Sequence, residues 1–459
     1  MLKRVFALIS IISLSTMAHE NHQMRHWEIP SPDPDRIFLT FFGDPATSRA
    51  VTWRTDNSVS NAVAEIAAAL GEPSFDQKAT PVQAETETVD LGKILKQQRE
   101  PVHYHSAVFQ GLEPDTLYAY RVGDGEKRWS EWIQFRTAAS DTSSFRFVYF
   151  GDAQNDVMSR WSRTIRMAHQ TAPDAAFALH AGDLINRADS DPEWAGWFKA
   201  GSYLHAQWTG VPVIGNHEYN PVGGANKANK MMSALWQPQF TLPIEDTLPP
   251  TLRETVYSFD FQGTRFIILN SCADIAVQTG YLEEQLKKPG AKWIVVSFHH
   301  PIFAPRARSN YEAHDRKDWM ELFAKYNVDL VLQGHDHSYL RGQVPTIGKQ
   351  GEANDDFQTL FVVSVSGPKQ YPTDESVLKK FEPEHFTPDR RAENTQFFQV
   401  IHIEEELIIY EAYTATGALY DRAVIGKDFK TGEKTIHNEV SDIKPRTMGN
   451  TIEYNKKGL

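Results

Sequence analysis

The chain has 459 residues, 41 % of them hydrophobic, and a formal charge of -12; it is long enough for more than one domain with a proper core, and its acidity excludes nucleic acid or an anionic membrane as the main partner. Cys272 is the only cysteine, so no internal disulfide can form and packing alone must hold the fold. The start combines Lys3 and Arg4 with an apolar run from Val5 to Leu14 and small residues ending at Ala18. That pattern is expected of a signal peptide over residues 1–18, giving a secreted or periplasmic protein. The run is too short to span a bilayer and no Cys follows Ala18 to carry a lipid, so no membrane span is expected.

From Ile37 to Thr137 short β-type runs alternate with polar turns: Ile37–Phe42, Ala50–Arg54, Ser106–Phe109, Leu117–Val122 and Trp132–Phe135. They predict an all-β sandwich over residues 31–140. The stretch from Gly111 through Pro114 and Tyr118 to Val122 resembles the fibronectin type III turn-and-strand signature, in which a Tyr near the strand start bonds back to the turn. Gln83–Arg99 is polar with little apolar period and reads as a loop insertion or short surface helix. Trp53, Trp129 and Trp132 read as core or interface residues rather than a sugar platform.

Small polar residues at Thr137–Ser144 mark a boundary, after which apolar runs alternate with helical stretches. The runs are Phe145–Phe150, Ala175–His180, Val211–Ile214, Phe266–Leu269, Trp293–Phe298 and Val328–Leu332; the helices are Arg160–His169, Tyr281–Lys288 and Asp315–Tyr326. Such continuous runs suit strands buried on both faces. Strand character returns over Thr359–Ile425, suggesting a second sheet layered on the first. The second domain is expected over residues 141–427, with a mobile tail at 428–459.

Nearly every core run ends in residues that bind metals: Gly151-Asp152, Gly182-Asp183, Gly215-Asn216-His217-Glu218, His299-His300 and Gly334-His335-Asp336-His337. In an open α/β sheet the carboxyl ends of the strands meet along one rim, so distant residues can share a site. Carboxylates and imidazoles suit first-row metals, and the lack of thiolates excludes a Cys-rich zinc site. A lone Gly-Asp is usually a turn and a lone His is usually a surface or core residue. Five such ends in the order Asp, Asp, Asn-His, His, His-x-His are not explained that way.

This order resembles the calcineurin-like metallophosphoesterases, and with the sandwich in front it resembles the purple acid phosphatase branch. The resemblance implies a four-layer αββα catalytic domain and two metal ions, of Fe, Mn or Zn, that activate a water or hydroxide and clamp phosphate oxygens. It implies that Asp183 bridges both ions, that Asp152 and His337 hold one, and that Asn216, His299 and His335 hold the other. His217 is then expected over the substrate as general acid or transition-state stabiliser. The purple branch has a Tyr where this chain has Asn186, and the wider superfamily often has a His where this chain has Gln154. Gln154, with Asn186 as the competing candidate, is expected to supply a weaker oxygen ligand, and loss of the phenolate favours a divalent pair.

Arg306 and Arg308 are the basic candidates for phosphate oxygens, with His314 weaker. Tyr219 and Tyr339 could line the pocket or pack. Cys272 reads as an inert thiol. The expected substrate is a small-molecule phosphate ester, monoester before diester or nucleotide; a non-catalytic surface-binding protein with a decayed site is the remaining alternative. The oligomeric state stays open.

Overall fold

The computed structural model describes residues 24–220, 231–306, 317–347, 353–440 and 442–446. The expected signal peptide, Arg308 and His314 therefore lie outside the described residues.

Asp35–Thr40, Ser48–Asp56, Val102–Gln110 and Glu85–Val89 form one antiparallel layer of the N-terminal sandwich, and Thr80–Gln83, Val63–Ala68, Leu117–Gly123 and Ile133–Arg136 form the other. Trp53, Phe109, Tyr120 and Phe135 fill the space between them. The Tyr118 hydroxyl accepts a hydrogen bond from the Glu113 N–H at 2.9 Å, as the fibronectin-like signature requires. The segment Gln83–Arg99, expected as a loop or surface helix, also contributes an edge strand; its exposed Glu85–Thr88 hide the alternation that marks a half-buried strand. Trp53 is buried in the core, whereas Trp129 and Trp132 hold the Arg121 guanidinium at 4.3 and 4.7 Å from their ring centroids.

The second region has two facing sheets. Phe145–Phe150, Phe177–His180 and Thr209–Pro212 run parallel, flanked by the antiparallel Phe397–Ile403, Leu407–Thr414 and Leu419–Lys427. Thr264–Ile268, Trp293–Ser297, Leu330–Gln333 and Ala353–Val363 form the parallel heart of the second sheet. Phe147, Phe177, Phe259 and Phe266 stack in the space between the sheets, Phe259 and Phe266 at 5.0 Å. Helices Ser162–Thr171 and Asp191–Gly201 cover one outer face with Trp161, Trp194 and Trp197. Helix Ile275–Lys287 covers the other with Tyr281 and Leu282, joined by Trp319 and Phe323 from helix Lys317–Lys325. This is the four-layer αββα order.

Thr40 pairs with Gly210 across a parallel register, so the sandwich layer and the first sheet of the second region form one 11-stranded sheet. Residues expected as tail also differ: Lys434–Asn438 adds an edge strand to Leu419–Lys427. The Lys434 ammonium is buried 3.3 Å from Asp329, which a polar sequence pattern conceals. No helix among the described residues is long and apolar enough to cross a membrane.

Candidate metal centre

The parallel registers bring the strand ends onto one rim. Phe150, His180 and Pro212 lie side by side in the first sheet, and Ser297, Leu332 and Val362 in the second. A parallel bridge between Asp152 and Val365 then ties the two sheets together where the chain leaves them. Glycine is needed just there: a Cβ at Gly215 would stand 2.3 Å from Asp183 Oδ1, and one at Gly334 would stand 2.4 Å from Asp152 Oδ1. Asp183, His335 and His337 sit at φ of 51°, 73° and 29°, a left-handed backbone that L residues adopt at a cost and that clusters at functional sites.

Two groups of ligand atoms form, and they share a carboxylate. Asp183, His299 and His335 make one, and Asp152, Asp183 and His337 make the other, each with its ligand atoms within 4.8 Å of one another. In the first, His299 Nε2 lies 3.1 Å from Asp183 Oδ1, 3.2 Å from Asn216 Oδ1 and 3.1 Å from His335 Nδ1. In the second, His337 Nε2 lies 3.2 Å from Asp152 Oδ2.

Tautomers sharpen this arrangement. His337 Nδ1 faces the Lys369 carbonyl at 3.0 Å and His299 Nδ1 faces the Ala181 carbonyl at 2.8 Å. A carbonyl only accepts, so each Nδ1 carries a proton. For His299 burial is outweighed by Asp183 and Asp152, which raise it to about 9, so its Nε2–H faces Asp183 and yields a lone pair there only when a metal takes the proton's place. Burial pushes the His337 imidazole well below its ordinary range, so it stays neutral and its lone pair faces a carboxylate oxygen. Asp152 Oδ2 and Gln154 Oε1 are buried and hydrogen-bond to nothing among the described residues. Burial drives the Asp152 carboxyl well above the usual carboxylate range, while for Asp183 burial is outweighed by His299 and His217, which hold it well below. Acceptors that face each other in a buried space are stable with a cation between them. The residues present therefore fit a metal pair.

The other expected site residues fall as follows. Gln154 lies at the rim, its Nε2 donating to Asp183 Oδ2 at 2.7 Å. Asn186 accepts from His217 Nδ1 at 2.6 Å through its main-chain carbonyl, a contact that does not involve its side chain. That contact points His217 Nε2 into the site, 3.8 Å from Asp183 Oδ2. Arg306 lays its guanidinium 3.7 Å from the Tyr371 ring centroid, and that ring stands 4.8 Å from His337. Tyr219 and Tyr339 are packing residues: the Tyr219 hydroxyl accepts from Asn270, and the Tyr339 hydroxyl donates to Asp421 between the sheets. Cys272 has a histidine neighbour that the sequence did not suggest, His300 Nδ1 at 3.8 Å from its sulfur.

Three rim residues escaped sequence reasoning. Glu218 is fully buried and accepts the N–H groups of Gly215 at 2.7 Å, Leu184 at 2.8 Å and Asp183 at 3.1 Å, so it holds both ligand loops. Burial, with Asp183 beside it, pushes its carboxyl up to about 8. Lys369 and Tyr371 follow Gly367, one more glycine at a strand end, which was the available signal. A groove of about 760 Å³ between the sandwich and the catalytic region, lined by Arg136, Arg146, Trp208 and His402, includes none of the rim residues.

Residues 145–339 match the calcineurin-like phosphoesterase family and residues 34–137 match the purple acid phosphatase N-terminal domain. Purple acid phosphatase 23 of Arabidopsis thaliana is 27 % identical over 52 % of this chain and 57 % of its own length. An uncharacterized protein of Mycobacterium tuberculosis is 28 % identical over 68 % of this chain and 62 % of its own. Human acid phosphatase type 7 is 27 % identical over 68 % and 71 %. The chain thus spans 57 % to 62 % of the length of the first two of these relatives. The purple acid phosphatase from yellow lupin seeds shares the fold, with a TM-score of 0.70 at 19 % identity over 88 % of this chain and 76 % of that one. Residues 145–339 thus carry a calcineurin-like phosphoesterase domain and residues 34–137 a purple acid phosphatase N-terminal domain, arranged in the fold of the yellow lupin enzyme.

Proposed function

We propose that the protein is a dinuclear metal-dependent phosphoesterase that hydrolyses small phosphate monoesters. The observation that carries this reading is the Asp183 carboxylate shared by two groups of ligand atoms, each with an imidazole whose Nδ1–H is already committed to a main-chain carbonyl. Asp152, Gln154, Asp183 and His337 would hold one ion and Asp183, Asn216, His299 and His335 the other. When bound, such a pair lowers the pKa of water and neutralises charge that develops on phosphorus-bound oxygens. With a neutral Asn186 at the position where the purple branch has a Tyr, the set suits divalent Mn, Zn or ferrous iron without a purple charge-transfer band.

The chain's own residues do the rest. Asn186 fixes the His217 tautomer, so Nε2 points over the site and can carry a proton to the leaving oxygen once it is protonated there. Glu218 orients the Asp183 and Asn216 loops through their main-chain N–H groups. The sandwich, residues 31–140, braces the catalytic domain, residues 141–427. Residues 1–18 would direct the chain to the periplasm or outside the cell.

The test is metal analysis, a visible spectrum and hydrolysis of p-nitrophenyl phosphate and its bis ester, before and after chelation. Two divalent ions per chain, no purple band and activity that is lost to chelator and restored by a divalent ion are expected. A metal-free protein that stays inactive when reloaded would overturn the reading, and faster cleavage of the bis ester would move it to a diesterase.

A further inference from the structure

We propose that Glu193 is a positioning residue for His217, aiming its proton at leaving groups that depart poorly as anions, and that the substrates therefore include alkyl phosphates; this rests on the phosphoesterase reading above. Glu193 stands in the first turn of helix Asp191–Gly201. Its Oε2 accepts the main-chain N–H groups of both Asn186 and Arg187, each at 2.8 Å. The Arg187 N–H and the Asn186 carbonyl belong to one peptide unit, which is planar and trans, so they point in opposite directions. Holding the N–H on one side aims the carbonyl to the other, where it accepts from His217 Nδ1 at 2.6 Å. Carboxylate, peptide and imidazole thus form one hydrogen-bonded chain, which leaves His217 Nε2 facing the site, 3.8 Å from Asp183 Oδ2.

The neighbouring contacts hold the same turn without holding that peptide. Trp194 Nε1 and the Ser233 hydroxyl both donate to the Ala188 carbonyl, at 3.0 and 2.8 Å. Arg187 Nε donates to the other oxygen of Glu193 at 2.7 Å from an exposed side chain. Asp191, two residues earlier in the same helical turn, pairs instead with Arg36 at 2.7 Å. Hydrogen bonds in such a chain polarise one another, so the carboxylate makes the Asn186 carbonyl a better acceptor and favours the ring orientation that keeps the proton on Nδ1. In the reaction water supplies the oxygen that phosphorus gains, the ester P–O bond breaks, its electron pair goes to the leaving oxygen, and the proton from protonated His217 Nε2 joins it to give the alcohol. A dinitrophenolate departs as the anion and needs no proton, whereas an alkoxide does. A well-aimed His217 therefore gains most with alkyl esters.

The test follows kcat for ethyl phosphate and for 2,4-dinitrophenyl phosphate in wild type, Glu193→Gln, His217→Ala and Asp191→Ala, at verified metal content. Neither Glu193 nor the peptide it holds belongs to the two groups of ligand atoms, so metal content should stay unchanged in Glu193→Gln. The amide offers one acceptor oxygen where the turn presents two N–H donors. Glu193→Gln should lower kcat on ethyl phosphate about tenfold or more and on the dinitrophenyl ester less than about threefold, the ester dependence of His217→Ala on a smaller scale. Asp191→Ala should scale both rates together with the folded fraction. Equal losses on the two esters in Glu193→Gln, or no loss, would overturn the proposal. Should the wild type hydrolyse neither ester, or His217→Ala treat them alike, the reading of His217 as proton donor has failed, and nitrogen-15 NMR of the histidine rings decides Glu193 alone. A His217 signal, assigned by its loss in His217→Ala, that is the Nδ1–H tautomer in wild type and a mixture in Glu193→Gln supports the positioning role; identical signals overturn it.

Discussion

Buried charge is handled in opposite ways at the domain seam and at the rim. At the seam Arg36 reaches Asp191 at 2.7 Å, and Arg54 pairs with Asp35 at 2.6 Å and reaches Asp191 at 3.7 Å. Arg36 also donates to the Tyr104 hydroxyl at 2.9 Å and to Gln239 Oε1 at 3.1 Å. Two guanidinium groups from the sandwich therefore balance two carboxylates, one of them on the catalytic helix Asp191–Gly201. At the rim, Asp152, Asp183 and Glu218 are as deeply buried, yet no Lys or Arg among the described residues pairs with them. The seam pairs guanidinium with carboxylate and serves the architecture, whereas the strongly acidic carboxylate at the rim, Asp183, is met by histidines, whose protons a metal can replace.

The sharpest way to break this comparison is to neutralise one acid on each side. Asp183→Asn should cut hydrolysis about a thousandfold or more, because both groups lose their shared carboxylate and act as a unit. Metal content by atomic spectroscopy should fall, and the urea midpoint of the metal-free protein should fall as well, because His299 loses the carboxylate 3.1 Å from its Nε2. Unchanged metal content would show that Asp183 holds no ion. Asp191→Ala should behave in the opposite sense, leaving Arg36 without its carboxylate and Arg54 with Asp35 alone, and costing roughly 3–5 kcal/mol in urea unfolding. Full metal content and unchanged kcat in the folded fraction are expected; a large loss of metal with little loss of stability would erase the distinction.

The rim was legible because its ligands sit at strand ends, Asp152, Asp183, Asn216 and His335 directly after a glycine, a local pattern that survives without knowledge of pairing. What the pattern could not convey was distance across the two sheets. The Asp152 and Val365 bridge joins residues 213 positions apart in sequence only because the sheets face each other. Glu218 stood in plain view in the Asn216-His217-Glu218 run, but its partners are main-chain N–H groups, which sequence does not distinguish. Lys369 carried the glycine signal without a ligand-type side chain. The sandwich was readable through Tyr118, yet its union with the catalytic sheet rests on the single register pair Thr40 and Gly210, for which sequence has no mark. The edge strand Lys434–Asn438 reads as polar tail because one buried lysine is its main anchor.

A smaller effect tests whether the rim is held from behind. Glu218→Gln keeps the shape but turns an acceptor into an NH₂ group that meets main-chain N–H donors, so the Asp183 and Asn216 loops lose their common anchor. Metal affinity should weaken about 10–100-fold, the range for partners that orient ligands. Competition with a chromophoric chelator measures it, and activity restored at saturating metal would separate this positioning role from direct participation. Unchanged affinity would show that the packing alone fixes the loops.

The smallest effect lies behind the first sheet, where two buried imidazoles have no charged partner among the described residues and only His205 meets an acceptor, the Trp197 carbonyl at 3.3 Å. His205 stacks on Trp197 at 4.0 Å, 5.9 Å from His180, whose two ring nitrogens have no hydrogen-bond partner among the described residues. Burial pushes His205 down to about 3 and His180 well below its ordinary range. The folded state thus resists protonation that the unfolded chain accepts near 6.5, so the stabilising contribution is present above that pH and is lost as pH falls toward 3. Each site should cost about 1.4 kcal/mol per pH unit within that window. Urea unfolding of the wild type and of His205→Phe between pH 7 and pH 4 measures it. The variant should show a shallower acid slope, since the Phe keeps the aromatic stack against Trp197 and Phe38 and removes one proton acceptor, and parallel slopes would mean that His205 titrates alike in both states.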